Sequence, residues 1–232
     1  MPQILTSPEI IINQLDIFPS ADIYSDEPPL ESSLHLTQIF FLITCLELYW
    51  HDRSDYFAAG NLTIYYKLDQ NQSTESRGPD FFVVLGTEKK DRKSWVVYRE
   101  GGKYPNIIVE ILSDSTASVD RAAKKEIYQD IFRTPNYFWF HPETLEFQGF
   151  HLVDGEYIEL QPNEHGYLWS QQLGLYLGVF DRKLRYFTAS GELLPTPDEA
   201  RMRERQRAEE AIAKSQRLAA KLRELNIDPD QI

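Results

Sequence analysis

The chain has 232 residues, 42% hydrophobic and 13% aromatic, enough to bury a core and to exclude global disorder. Its 36 acidic and 24 basic residues leave a net charge of -12. That excludes a surface broadly coated for nucleic acid, but not a local basic groove or a carboxylate metal site. A single cysteine, Cys45, rules out a disulfide framework within the chain. It reads as a small core residue and makes the cytoplasm the default compartment.

Residues 1–12 lack the basic start and apolar run of a signal peptide. The most apolar stretch, 39–48, contains Thr44 and Glu47 and is too short to cross a bilayer, so no membrane association is expected. Residues 1–30, with Pro19, Pro28 and Pro29, read as an extended lead-in. Ser25-Asp26-Glu27-Pro28-Pro29 then offers capping chemistry before a helix from Leu30 to about Trp50. That helix is apolar on most sides, which predicts burial nearly all round. Glu31, His35 and Gln38 interrupt it at helical spacing and suit a solvated or capping edge as well as a functional one.

Residues 61–68 alternate as a strand does. A polar loop leads to a second strand, 79–86, with Asp80 at its entry. After a charged loop and a short strand or turn at 94–99 comes Pro105-Asn106-Ile107-Ile108-Val109-Glu110-Ile111-Leu112-Ser113. This apolar run carries one carboxylate, as in a strand buried on both faces. Such a glutamate is costly unless a cation or lysine holds it, or unless it reaches water or an arginine at the strand end.

Asp114-Ser115-Thr116-Ala117-Ser118 caps a helix expected over about 118–132, ending before Pro135. Asp120, Lys124 and Tyr128 fall four apart on it. With Val119, Ala123, Ile127 and Ile131 as the buried stripe, Lys124 lies about 60° from Ile127 at the stripe's edge. Asp120 is closer still, and Lys125 points to solvent. A strand at 136–141 follows, then antiparallel strands to about residue 188, with a hairpin turn at Asp154-Gly155. Beyond Pro195 and Pro197 the composition changes to a charged helix over 198–228 with a thin apolar stripe. We expect a domain over 1–195 and a C-terminal helix over 196–232, which permits a coiled coil or homodimer.

Two carboxylates from adjacent strands and one lysine suit metal-assisted phosphodiester hydrolysis. The set Pro79-Asp80, Ile107 to Ser113 with Glu110, Asp120-x3-Lys124-x3-Tyr128 and Tyr137-Phe138-Trp139-Phe140-His141-Pro142 resembles the Uma2 (DUF820) family of the PD-(D/E)xK superfamily. His35 resembles the family's helix-one histidine, and the tail 217–229 resembles a C-terminal helix found in many members. The resemblance runs from about residue 28 to 230. It implies an α/β (α+β) restriction-endonuclease-like core, a mixed β-sheet flanked by helices with antiparallel strands in its second half.

The resemblance also implies a Mg²⁺- or Mn²⁺-dependent endonuclease, a hydrolase acting on DNA ester bonds. Asp80 and Glu110 would be metal ligands, with the Ile111 carbonyl as a further one. Lys124 would be catalytic, and Glu31, His35, Asp120 and Tyr128 would support. The superfamily usually carries Glu-x-Lys on one strand. Glu110-Ile111-Leu112 lacks that lysine, so Lys124 must supply it from the helix. The alternative is an inactive nuclease-like module that binds DNA or a protein partner.

Overall fold

The computed structural model describes residues 24–30, 32–68, 74–113, 119–225 and 228–229. In chain order these form helix α1 (Ser33–Tyr49), strands β1 (Tyr56–Gly60), β2 (Ile64–Leu68), β3 (Thr74–Arg77), β4 (Phe81–Leu85), β5 (Trp95–Val96) and β6 (Ile107–Ile111), then helix α2 (Val119–Glu126). A π-helical turn (Ile127–Ile131) continues α2. Strands β7 (Asn136–Phe140), β8 (Phe147–Val153), β9 (Glu156–Glu159), β10 (Leu168–Ser170), β11 (Leu175–Phe180) and β12 (Lys183–Phe187) lead to helix α3 (Pro197–Glu224).

The main sheet is mixed, in the order β1-β4-β6-β7-β8-β9. Only its central pair, β6 and β7, is parallel; the others run antiparallel. The expected α/β fold, with antiparallel strands in the second half and a long C-terminal helix, is what the chain adopts. Strands β10, β11 and β12 form a separate antiparallel sheet, and β3-β2-β5 a third.

Alternation along β4 and β6 divides the core. Phe81, Val83, Ile107, Val109 and Ile111 pack with α1 and the β10–β12 sheet. Phe82, Val84 and Ile108 face the other way, against Ile64, Trp95, Tyr128 and Phe132. By this parity Glu110 falls on the same face as Ile108 and Tyr128. The β8–β9 connection is the expected hairpin: Asp154 and Gly155 have φ of 51° and 95°, the two positive values a type I′ turn requires.

Several expectations are corrected. Helix α1 buries one stripe, His35, Gln38, Ile39, Leu42, Cys45 and Leu46, while Leu36 and Phe40 are 55% and 60% exposed. The helix is covered on one side, so its polar Gln38 is buried in place of a phenylalanine. The Gln38 amide donates to the Leu184 carbonyl at 2.9 Å and accepts from the Leu184 N–H at 3.0 Å. The expected strand at 61–68 starts later, at Ile64, because Asn61 turns the chain at φ 48°. Strand β3 falls within the expected polar loop at 69–78, where pairing with β2 draws Thr74–Arg77 into a strand, and β1 had no sequence expectation.

The buried stripe of α2 is also different. Ala123 and Ile131 are exposed, and Tyr128 and Phe132 are buried. The π-turn, closed by the Phe132 N–H on the Ile127 carbonyl at 2.9 Å, shifts the helical phase by one residue. Lys125 is not a solvent lysine; its Nζ lies 3.8 Å from the centre of the Phe150 ring.

Helix α3 starts at Thr196 with a capping box to Glu199 and Pro197 in the first turn. Arg185 ties Glu199 to the body at 2.7 Å. None of the described α3 residues is buried. Among the described residues no helix is long and apolar enough to cross a membrane. Replacing Gln38 by Leu leaves the buried N–H and C=O of Leu184 unpaired. Urea unfolding is expected to show a loss of about 2–4 kcal/mol, and an unchanged midpoint would contradict the role given to this amide.

Candidate active site

The β4–β6 register sets the site. Phe82 opposes Ile108 and Phe81 opposes Val109. Continuing it by one residue sets Asp80 opposite Glu110, on one face at the sheet's end. The Ile111 N–H donates to Asp80 Oδ2 at 2.6 Å, locking the aspartate to the end of β6. His35, in the first turn of α1, brings Nε2 to 2.9 Å from Asp80 Oδ1. Nε2 makes no hydrogen bond of ordinary geometry there.

Glu110 is buried and held through both oxygens. The Tyr128 hydroxyl donates to Oε1 at 2.6 Å, and Lys124 Nζ lies 3.1 Å from Oε2. These donors are four residues apart, so α2 and its π-turn present both to one carboxylate. Burial, and then the neighbouring Asp80 charge, push the Glu110 carboxyl up to about 8, against the opposing pull of Lys124 and Tyr128. Burial pushes Asp80 in the same direction, but His35 and the Ile111 N–H hold it below the usual carboxylate range. The opposite directions of these two shifts leave the proton of the resting pair on Glu110. Burial, then the Glu110 charge, raises Tyr128 well above the ordinary phenol range, so it stays a donor.

The acids line a cavity of about 350 Å³. Its walls include His35, Lys124, Ile111, Leu112 and Tyr137, and also Asp26, Glu27, Pro28, Asn61 and Arg77. The latter group had no functional expectation from sequence. Asp26-Glu27-Pro28-Pro29 reads as helix-entry chemistry, yet the α1 cap is Ser32, whose hydroxyl accepts from the His35 N–H. The structure thus brings together Asp80, Glu110, Ile111, Lys124, His35 and Tyr128. Glu31 lies outside the described residues. Asp120 lies on α2, but its side chain is outside the description.

A divalent cation can be tested against these donors. Each carboxylate oxygen has two lone pairs, so the contacts above leave capacity on both acids. The Glu110 carboxyl, raised by burial and then by the Asp80 charge, marks where positive charge is wanted. Among the described residues no group of three His, Cys, Asp or Glu side chains forms a metal cage. Two carboxylates therefore fit a hard ion that keeps much of its water, such as Mg²⁺, better than a structural zinc.

Residues 22–184 match the sequence model of the Uma2 family, described as "Putative restriction endonuclease". The chain belongs to the Uma2 family. A structure from Anabaena variabilis ATCC 29413, described as a putative nuclease belonging to DUF820, is 12% identical, with a TM-score of 0.45 over 62% of this chain and 76% of that one. No curated protein matches the chain. The Uma2 match takes in the end of the lead-in segment, α1, β4 and β6, and ends within β12.

The Glu110 carboxyl holds its proton to higher pH in the folded chain than in the unfolded one. It therefore stabilises the fold fully below its ordinary value of 4.5 and loses that contribution as pH rises through about 8. Metal-free protein is expected to lose about 1–3 kcal/mol between pH 6 and 9 through this group. Thermal melts of wild type and Glu110→Gln check this. The slope should flatten in the variant, and parallel slopes would contradict it.

Proposed function

We propose that this Uma2 protein is a metal-dependent endonuclease that hydrolyses DNA phosphodiester bonds. The observation that carries the reading is the convergence of Asp80, Glu110 and Lys124 in one cavity, with Glu110 buried between a lysine and a second acid. Asp80 and Glu110 would hold Mg²⁺ or Mn²⁺, with the Ile111 carbonyl as a further ligand. When bound, such an ion supplies Lewis-acid polarisation of a phosphoryl oxygen and a more acidic water.

The chain's own groups have defined parts. Tyr128 and Lys124 fix the Glu110 carboxylate, so its free lone pairs keep one direction. The Ile111 N–H does the same for Asp80. Lys124 is partly open to the cavity, where its charge offsets that developing on the phosphoryl oxygens and orients the attacking water. In the reaction a water oxygen bonds to phosphorus and the ester P–O bond breaks. The water proton passes, directly or through a side chain, to the departing alkoxide. The products are a phosphate monoester end and a hydroxyl end.

The test is incubation with supercoiled, linear and branched DNA in Mg²⁺ or Mn²⁺. Wild type should cleave, Glu110→Ala should fall to background, and Lys124→Ala should lose on the order of 10²–10³-fold. Cleavage undiminished in Glu110→Ala would overturn the assignment. A folded wild type that takes up no metal and cuts no DNA would favour the inactive nuclease-like module. In calorimetry at about pH 7, Mn²⁺ should bind with release of about one proton, since the cation replaces the one held by Glu110. Asp80→Asn should abolish that heat.

A further inference from the structure

The segment 24–30 lies along the cavity as a wall, held mainly by Thr63. Thr63 is buried. Its Oγ1 accepts from the Asp26 N–H at 2.8 Å and donates to Glu27 Oε1 at 2.8 Å, while its N–H donates to Ser25 Oγ at 2.9 Å. The Asn61 amide adds a bond to the Pro28 carbonyl at 3.3 Å. A methyl group at Gly78 would run into the Glu27 carboxylate, so glycine lets the wall close against β3.

This wall places Asp26 and Glu27 beside Asp80 and Glu110. Among the described lining residues, four carboxyl groups face two fixed cations, Arg77 and Lys124. One divalent ion brings that balance near neutrality and leaves no excess to hold a highly charged duplex. Double-stranded DNA carries one charge per ~1.7 Å, and its binders commonly neutralise about 6–10 phosphates with Lys and Arg. A stiff duplex would press the phosphates flanking the reacting one against Asp26 and Glu27. An unpaired strand can turn those phosphates away. The cavity, about 350 Å³, is at the small end of ligand-sized sites of roughly 300–1,000 Å³.

We propose that the cavity takes a phosphodiester carried on an unpaired nucleotide, such as a strand end, flap or looped-out residue, in preference to an unbroken duplex. This rests on the nuclease reading. Extruding a paired nucleotide costs a few kcal/mol, which an unpaired one avoids. The test uses the full chain in Mn²⁺ with end-labelled oligonucleotides of one sequence: single strand, blunt duplex, and duplex with an unpaired flap. Single strand and flap should be cut at least about tenfold faster than duplex. A duplex cut equally fast overturns the inference and leaves the nuclease reading standing.

Fluorescence anisotropy with Ca²⁺ in place of Mn²⁺ reads the same preference without chemistry. Single strand should bind at least about tenfold tighter than duplex. If nothing is cut, the nuclease reading fails, and this binding ratio alone decides the inference: equal binding, or none, overturns it. Asp26 is exposed, so Asp26→Lys should fold normally. It should narrow the single-strand to duplex ratio in both assays, and an unchanged ratio overturns the role of the acidic wall.

Discussion

The structure depends on burying one carboxylate, that of Glu110, at the end of a central strand. Burial alone would make its charge prohibitively costly. The chain answers with two donors on a single helix, Tyr128 at 2.6 Å and Lys124 at 3.1 Å, and with a raised carboxyl that keeps its proton. The arrangement disfavours two charged carboxylates in the resting protein and suits a bound cation. Removing either donor would leave one buried oxygen of Glu110 without its partner, so fold and candidate chemistry rest on the same contacts.

The architecture serves this geometry from both faces of the main sheet. Strands β4 and β6 are covered on both faces, which fixes Asp80 opposite Glu110 by register. Helix α1 delivers His35 to Asp80 and is itself fixed by Gln38, which reaches across 146 residues to Leu184. The α2 segment comes from the opposite face, and its π-turn seats Tyr128 and Phe132 in the core. Such a turn costs hydrogen-bond regularity and is frequent where a side chain must be aimed.

Much of this was legible in the sequence, for reasons that differ by residue. Glu110 stood out because a single acid interrupts an apolar run. Asp80 followed from its place at the entry of the neighbouring strand. The Asp154-Gly155 hairpin was legible because those residues tolerate positive φ. Lys124 was assigned to the cavity side through a wheel whose buried stripe was wrong. The phase shift of the π-turn buries Tyr128 and Phe132 instead of Ala123 and Ile131, and Lys124 lies four residues before Tyr128. Periodicity could not reveal this, because the π-turn has no local signature. Nor could it reveal that Gln38 is buried, or that Asp26 and Glu27 return to the cavity through Thr63. Those contacts join residues 36 or more positions apart, and only tertiary packing satisfies them.

The claim that Asp80 and Glu110 are built to share a cation is tested most directly by a crystal structure of the protein soaked in Mn²⁺ near pH 8. Anomalous scattering should give a peak between the two carboxylates, with Tyr128 still bonded to Glu110. A well-ordered cavity without such a peak would contradict it.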